Sequence, residues 1–343
     1  MASANMYDKA ASDIRQAGTE QAGGVLDTRE LIRHAMLAAS SHNTQPWKFR
    51  IQQDSITILP DFSRRCPAVD PDDSHLFKSL GCAAENLVHA AAAQGFSADV
   101  RFDPGEDGVI VALNRDASAH ATDIYRAITK RQCVKTAYDG TVLVASELEM
   151  LETAGERQNV RIVMLLSEAQ KDAVIDYVTQ GNLAQMTDRD FRDELVSWIR
   201  FNPDEALRKG DGLSGRTSGQ PPLPTWLGKR IIELVLTPKG QAKTDATNIR
   251  SSAGVAVFVS NRNDKAAWVE TGRVYERFAL QATALNIRTA FINQPIEVRA
   301  LLPQFESWLN LNGEHALLMV RFGHGSTAPF SLRRPIDDVI ITN

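Results

Sequence analysis

The run Ser40-Ser41-His42-Asn43-Thr44-Gln45 sets six hydrogen-bonding side chains side by side, directly before Pro46 and the aromatic residues Trp47 and Phe49. Side chains of this kind bond to nearby backbone and close helices, and the residue before a proline is pushed out of helical geometry. The same groups are also suited to holding a polar ligand, and on these residues alone both readings stay open. Two further segments gather charge: RQCVKTAY at 131–138 and SLRRPIDDVI at 331–340. By charge alone they read as an exposed basic turn and a charged C-terminal tail.

Other chemistries find no support in the residue pattern. Cys66, Cys82 and Cys133 are an odd number at wide spacing, which fits neither a disulfide framework nor a zinc knuckle. The seven histidines form no H-E-x-x-H pair, and no metal site is expected. There is no G-x-x-x-x-G-K-[ST], no G-x-S-x-G and no G-x-G-x-x-G after a strand. A net charge of -4 with 23% charged residues gives no basic excess for neutralising phosphates of DNA or RNA. No apolar run approaches the roughly 18 residues of a membrane span, and the first residues lack a charged then apolar leader pattern. The expectation is a cytoplasmic chain with neither nucleic-acid nor membrane partners.

Periodicity supplies the elements that would position the polar run. LIRHAMLAA spaces Leu31, Ile32, Ala35 and Leu37 as a helix that ends at Ser40. WKFRIQQDSITILP alternates as Trp47, Phe49 and Ile51, then Ile56 and Ile58 across a polar turn, and predicts a hairpin with one buried face. In that reading Trp47 is core, and Gln45 is more readily structural than ligand-binding. KSLGCAAENLVHAAAAQG predicts a helix stopped at Gly95, with strands following at ADVRF and GVIVALNR. A second unit opens with the helix TDIYRAITK and contains strand-like VRIVMLL, GVAVFVS and HALLMVRFG. Residues 201–228, rich in Gly and Pro and without period, read as a long loop.

One internal similarity organises these units. SLGCAAENLVHAAAAQGF at 79–96 lies without gaps on ETGRVYERFALQATALNI at 270–287, pairing Gly81, Glu85, Ala91 and Ala93 with Gly272, Glu276, Ala282 and Ala284. A duplicated α+β unit folded on itself as a pseudo-dimer is the expected architecture.

At this point the chain resembles the flavin-binding nitroreductase family, in particular its tandem-fused, Acg-like branch. SSHNTQPWKF (40–49) resembles the family's S-S-x-N-x-Q-P-W segment, RQCVKTAY its R-[RHT]-S-x-R-x-[FY] opening element, and SLRRPIDDVI its closing R-x-P-[LI]-x-[ED]-V segment. NQPIEV (293–298) stands where the family has P-[MI]-E-G, with Val298 in place of the glycine. The resemblance implies an α+β nitroreductase-like fold of two tandem modules, each with a mostly antiparallel sheet flanked by helices. It places an N-terminal extension at 1–26, a first, incomplete module at 27–118, and a second at 119–343 with a lid-like loop at 201–228.

The same resemblance implies one FMN site assembled across the two modules. Arg131 and Arg333 would meet the phosphate with guanidinium forks, assisted by Gln132, Cys133 and Ser331. Lys135 would lie near the ring at N1 and O2, where a cation favours the reduced flavin. Ser40, Ser41, Asn43 and Gln45 would contribute from the first module, and the backbone of Gln294, Pro295 and Ile296 would run along the ring, with Glu297 orienting that loop. No catalytic acid is marked. The implied activity is electron transfer from NAD(P)H through FMN to a nitro or quinone-like aromatic acceptor; the alternative is an FMN-sequestering protein with little turnover. The implied assembly is a monomer acting as a pseudo-dimer, or a weak homo-oligomer.

Overall fold

A computed structural model describes residues 2–16, 25–156 and 159–341. The expected extension at 1–26 is thus described at 2–16 and 25–26, and the rest of it lies outside the described residues.

The alternating segment at 47–60 forms the predicted hairpin, β1 (Trp47–Ile51) against β2 (Ser55–Pro60), antiparallel with Trp47 opposite Pro60. Its inward residues Trp47, Phe49, Ile56 and Ile58 are fully buried. β3 (Phe96–Asp103) and β4 (Gly108–Arg115) extend the sheet, the latter pairing antiparallel with β2. A second antiparallel sheet runs β5 (Val160–Leu165), β6 (Gly254–Ser260), β8 (His315–His324), β7 (Ile287–Phe291). β6, GVAVFVS, is buried at all seven positions, which is why it shows no alternation: both of its faces are covered. The chain then returns to the first sheet, where β9 (Ile340–Ile341) pairs parallel with β1.

Between the sheets lie two 20-residue helices, α3 (Ser74–Ala93) and α8 (Lys265–Ala284). Alanine makes α3 a strong helix former, and Gly95, at φ +81°, takes the left-handed conformation just past its end. The helices meet at the two glycines that the internal similarity pairs. A Cβ on Gly81 would lie 2.0 Å from the Val269 carbonyl oxygen, and one on Gly272 would lie 1.9 Å from that of Lys78. Each glycine faces the residue three positions before the other, a reciprocity of the kind that a two-fold axis imposes. The largest core cluster includes buried residues of both helices and both sheets.

The remaining elements brace this frame. They include α1 (Ala2–Asp13), α2 (Thr28–Ala35), α4 (Glu168–Thr187), α5 (Pro203–Lys209), α6 (Thr225–Val235), α7 (Pro238–Arg250) and the single turn α9 (Gln294–Glu297). Asp27 caps α2 by accepting from the Glu30 N–H. The segment expected to be an irregular loop at 201–228 is folded over much of its length. Asn202 caps α5, Pro203 occupies its first turn, Gly210 at φ +65° ends it, and a 3₁₀ turn follows at Gly215–Ser218. Helices this short show no period in sequence, so caps alone mark them. Among the described residues, no helix is long and apolar enough to cross a membrane.

Candidate functional site

After α2 the chain makes a 3₁₀ turn at Ser41–Asn43, within and just after which three non-glycine residues take positive φ: His42 at 47°, Asn43 at 53° and Gln45 at 54°. A left-handed conformation costs an L-residue energy, and three within four positions persist only where surrounding contacts hold them. Those contacts are specific. The Ser40 hydroxyl accepts from the Gln45 N–H, and Gln45 donates to the Gly210 carbonyl at 2.9 Å while accepting from the Arg334 N–H at 2.8 Å. Asn43 donates to the carbonyls of Gly212 and Leu332, and the Gly212 N–H returns a bond to the Asn43 carbonyl at 3.1 Å. Gln45 and Asn43 thus tie the polar run to α5 and to the C-terminal segment.

Three guanidinium groups converge behind this run. Arg333 donates to the carbonyls of Met36, Leu37 and Ala38 past the end of α2, and to Asn43 Oδ1 and Ser331 Oγ. Arg131 donates to the Leu37 carbonyl at 2.9 Å, and its Nε lies 2.8 Å from Glu276 Oε1 on α8. That contact is at ion-pair distance but unaligned, so Arg131 Nε and Glu276 Oε1 both lack a hydrogen-bond partner. Arg15, just beyond α1, stacks over Phe330 at 4.4 Å and donates to the Ala11 carbonyl, while its buried Nε has no partner among the described residues. Burial, then repulsion from Arg131, lowers Arg15 to about 9; burial, then Arg15 and Arg131, pushes Arg333 well below the usual arginine value. Burial likewise pushes Glu276 up, against the pull of Arg131. Three buried cations lie together with one carboxylate, which bears on Arg131 and Arg333, so among the described residues the cluster carries an uncompensated positive charge and unused donors.

A second polar group surrounds α9. Gln294 donates to Asn182 Oδ1 on α4 and to Asp245 Oδ2 on α7, leaving Gln294 Oε1 buried without a partner. Gly181 permits this approach, since a Cβ there would lie 2.5 Å from Gln294 Cβ. His42 Nε2 is likewise buried and unpartnered, and burial, with the Lys135 charge, lowers this imidazole to about 4, so it is neutral at pH 7. Lys135, itself exposed, also bears on Asp245, which burial raises. Beyond Gln294, Glu297 accepts from Gln185 at 2.7 Å and lies 3.6 Å from His75 Nε2. Burial, with the Asp70 charge adding to it, raises Glu297 to about 7.

Each expected site residue has a definite place. Arg131, Arg333, Ser331, Asn43 and Gln45 come together at the arginine cluster, and Ser40 orders the run from within. Ser41 contributes a backbone carbonyl to the turn, bonded by the Thr44 N–H. Gln132 pairs with the Ala328 backbone in both directions, and Cys133 bridges to Thr289 of β7. Lys135, Gln294, Pro295 and Ile296 belong to the second group, with Pro295 and Ile296 buried. Arg15, Glu276 and His42 join these groups without having been singled out as ligand contacts. Glu276 stood in the internal similarity, which is the one signal that marked it; a lone arginine just past a polar helix gives none.

Among the described residues, the one grouping of potential metal ligands is His42, Cys66 and Glu194, whose donor atoms lie within 4.8 Å of one another. Both Glu194 oxygens are already engaged by the N–H groups of Ala68 and Val69. The position that mirrors Glu276 is Glu85 on α3, and there the charge is answered. Arg273 and Arg277 reach it at 3.0 and 2.7 Å and His89 at 3.3 Å. Burial opposes ionisation of Glu85, but these partners outweigh it and hold the carboxyl well below the usual range. A cleft of about 360 Å³ next to it is lined by His89, Met150, Arg277 and Gln281 among others. The two halves therefore differ in charge: one position is an answered carboxylate, the other an unanswered set of cations.

The donor set at the arginine cluster fits a phosphate monoester. A dianion would take up the free Arg15 and Arg131 donors and supply the missing negative charge. The orphaned Gln294 Oε1 and His42 Nε2 are equally suited to the polar edge of a flavin ring.

No family model matches the chain. Rv3131 of Mycobacterium tuberculosis H37Rv, which carries an NAD(P)H nitroreductase name, is 24% identical over 336 residues, covering 91% of this chain and 90% of that protein. The Acg protein of the same species, named likewise, is 23% identical over 328 residues, covering 91% and 94%. Among solved structures, the FMN-dependent nitroreductase NfnB of Mycobacterium smegmatis, in complex with NADPH, is 13% identical and covers 64% of this chain and 98% of that one, at a TM-score of 0.43.

Proposed function

We propose that this chain, similar over 91% of its length to Acg-like NAD(P)H nitroreductases, is an FMN-dependent oxidoreductase that carries electrons from NAD(P)H to a nitro or quinone-like acceptor. The observation that carries the FMN assignment is the buried trio Arg15, Arg131 and Arg333, of which, among the described residues, only Arg131 and Arg333 bear on a carboxylate, that of Glu276. Arg131 and Arg333 face the phosphate, Arg131 with a free donor and Arg333 through its charge, since Ser331, Asn43 and backbone carbonyls hold the Arg333 N–H groups. Gln294 and neutral His42 present an acceptor and a ring nitrogen toward the flavin edge, and Lys135 brings a cation to the same end. Bound FMN supplies reversible two-electron chemistry by accepting hydride. Solvent supplies protons, so the want of a dedicated acid does not oppose the reaction.

The two sheets, with the reciprocal contacts of Gly81 and Gly272, support reading residues 27–118 and 119–343 as two modules of a pseudo-dimer with one site. Free Cys66, Cys82 and Cys133 suit a reducing, cytoplasmic setting. The paired bonds of Asn43 with Gly212, one from the Asn43 side-chain amide to the Gly212 carbonyl and one from the Gly212 N–H to the Asn43 carbonyl, favour a second reading, storage of FMN beneath a closed segment with little turnover. Steady-state NAD(P)H consumption by FMN-loaded protein with a nitroaromatic acceptor separates the two. Sustained acceptor-dependent consumption supports the enzyme, and tight FMN binding without it supports storage.

A further inference from the structure

The N-terminal helix α1 is not a loose appendage. Tyr7, Ala11, Ala206 of α5 and Leu332 form their own small buried cluster, with Phe330 packed against it. The Tyr7 hydroxyl donates to the Phe330 carbonyl at 3.1 Å, and Asp8 pairs with Arg216 beyond α5. α1 therefore rests on the segment that carries Ser331 and Arg333 and on the segment that ties down the polar run. At its end it delivers Arg15, a buried guanidinium that, among the described residues, has no carboxylate partner and an unpartnered Nε.

We propose that α1 is a clasp over the phosphate end of the cofactor site and that Arg15 is a third phosphate-binding arginine. The inference rests on the FMN reading above and extends the site to a segment before the first module. Its physical argument is economy of charge. A cation is buried beside two others only at a cost in free energy, and the Ala11 carbonyl and the Phe330 ring answer Arg15 without any negative charge, leaving its Nε unmatched among the described residues. Burial and repulsion from Arg131 both act against its charge. A phosphate reverses the sign of the local field and gives Nε its partner. FMN release would then require α1 to lift.

The test compares FMN with riboflavin, which lacks the phosphate, on the full-length protein and its R15M, R15A and R15K variants. Dissociation constants are read from flavin fluorescence and melting temperatures from circular dichroism. Methionine keeps a long apolar stem over Phe330, so R15M should fold with an apo melting temperature equal to or above that of the parent. It should bind FMN at least tenfold more weakly and riboflavin within twofold of the parent, with R15K intermediate. Unchanged FMN affinity in R15M and R15A overturns the proposal. So does an equal loss for both flavins with a lowered apo melting temperature, which would make Arg15 structural. A parent protein that binds neither flavin overturns the FMN reading itself and this inference with it.

Discussion

Adding one methyl group at the seam between the two long helices tests how the site is assembled. In G272A the new Cβ would lie 1.9 Å from the Lys78 carbonyl oxygen, where about 3.0 Å is the closest approach that real contacts show, so the helices must separate by about 3.0 − 1.9 = 1.1 Å. The obstacle is backbone of a 20-residue helix, which cannot turn aside as a side chain would. Overpacking of this kind costs about 1 to 3 kcal/mol, and a clash with main chain belongs at the upper end. Exchanging glycine for alanine inside a helix returns about 1 kcal/mol, leaving about 2 kcal/mol of net destabilisation. G81A, facing Val269 at 2.0 Å, should cost about the same. The double variant should cost less than the sum, because one separation relieves both contacts. FMN affinity should fall with G272A, since Glu276 stands four residues further along α8 and accepts from the Ala39 N–H across the seam. Urea unfolding and flavin titration measure both. Single variants within about 0.5 kcal/mol of the parent, or a fully additive double variant, would refute the reciprocal contact.

Other perturbations bear on separate parts of the account. R333A removes donors from the Met36, Leu37 and Ala38 carbonyls as well as from the proposed phosphate contact, so it should lower stability by a few kcal/mol and weaken riboflavin as well as FMN; a loss confined to FMN in a parent-like melt would contradict its bracing role. E85Q leaves the buried Arg273 and the half-buried Arg277 without their carboxylate and should cost about 3 kcal/mol while FMN stoichiometry stays at one per chain; absorbance of the purified protein decides. Glu297, facing His75, Lys78, Asp70 and Gln185, is raised by burial from 4.5 to about 7. Between those pH values the folded chain keeps a proton that the unfolded chain has lost, so this group's contribution to stability falls as pH rises through that range and is flat above it. At about 1.4 kcal/mol per unit the change amounts to about 3 kcal/mol, and in E297Q melts from pH 5 to 8 this slope should vanish. An unchanged slope would place the group's ionisation elsewhere.

Much of the frame was legible because it rests on period and repetition. Alternation marked the 47–60 hairpin down to its buried face, and the alignment of Gly81 with Gly272 marked two helices as copies, while their close approach at those glycines emerged only from the fold. The family segments pointed to Arg131, Arg333 and the polar run, which the fold does bring together. Three things escaped. Asn202, Pro203 and Gly210 build a short capped helix in a stretch whose glycines and prolines read as irregular. β9 crosses to the first sheet with two residues, too few to carry a pattern. Arg15 depends on tertiary packing alone, since nothing local distinguishes a buried cation from a solvated one.

The central claim is that bound FMN is reached in turn by a nicotinamide donor and an acceptor. It is tested most directly by mixing FMN-loaded protein with NADPH or NADH without oxygen, following the flavin's visible absorbance, and then adding a nitroaromatic compound. The account predicts that the absorbance bleaches and then returns as the nitro group is consumed, over repeated cycles. Flavin that stays bound but is not bleached by either nucleotide would contradict it.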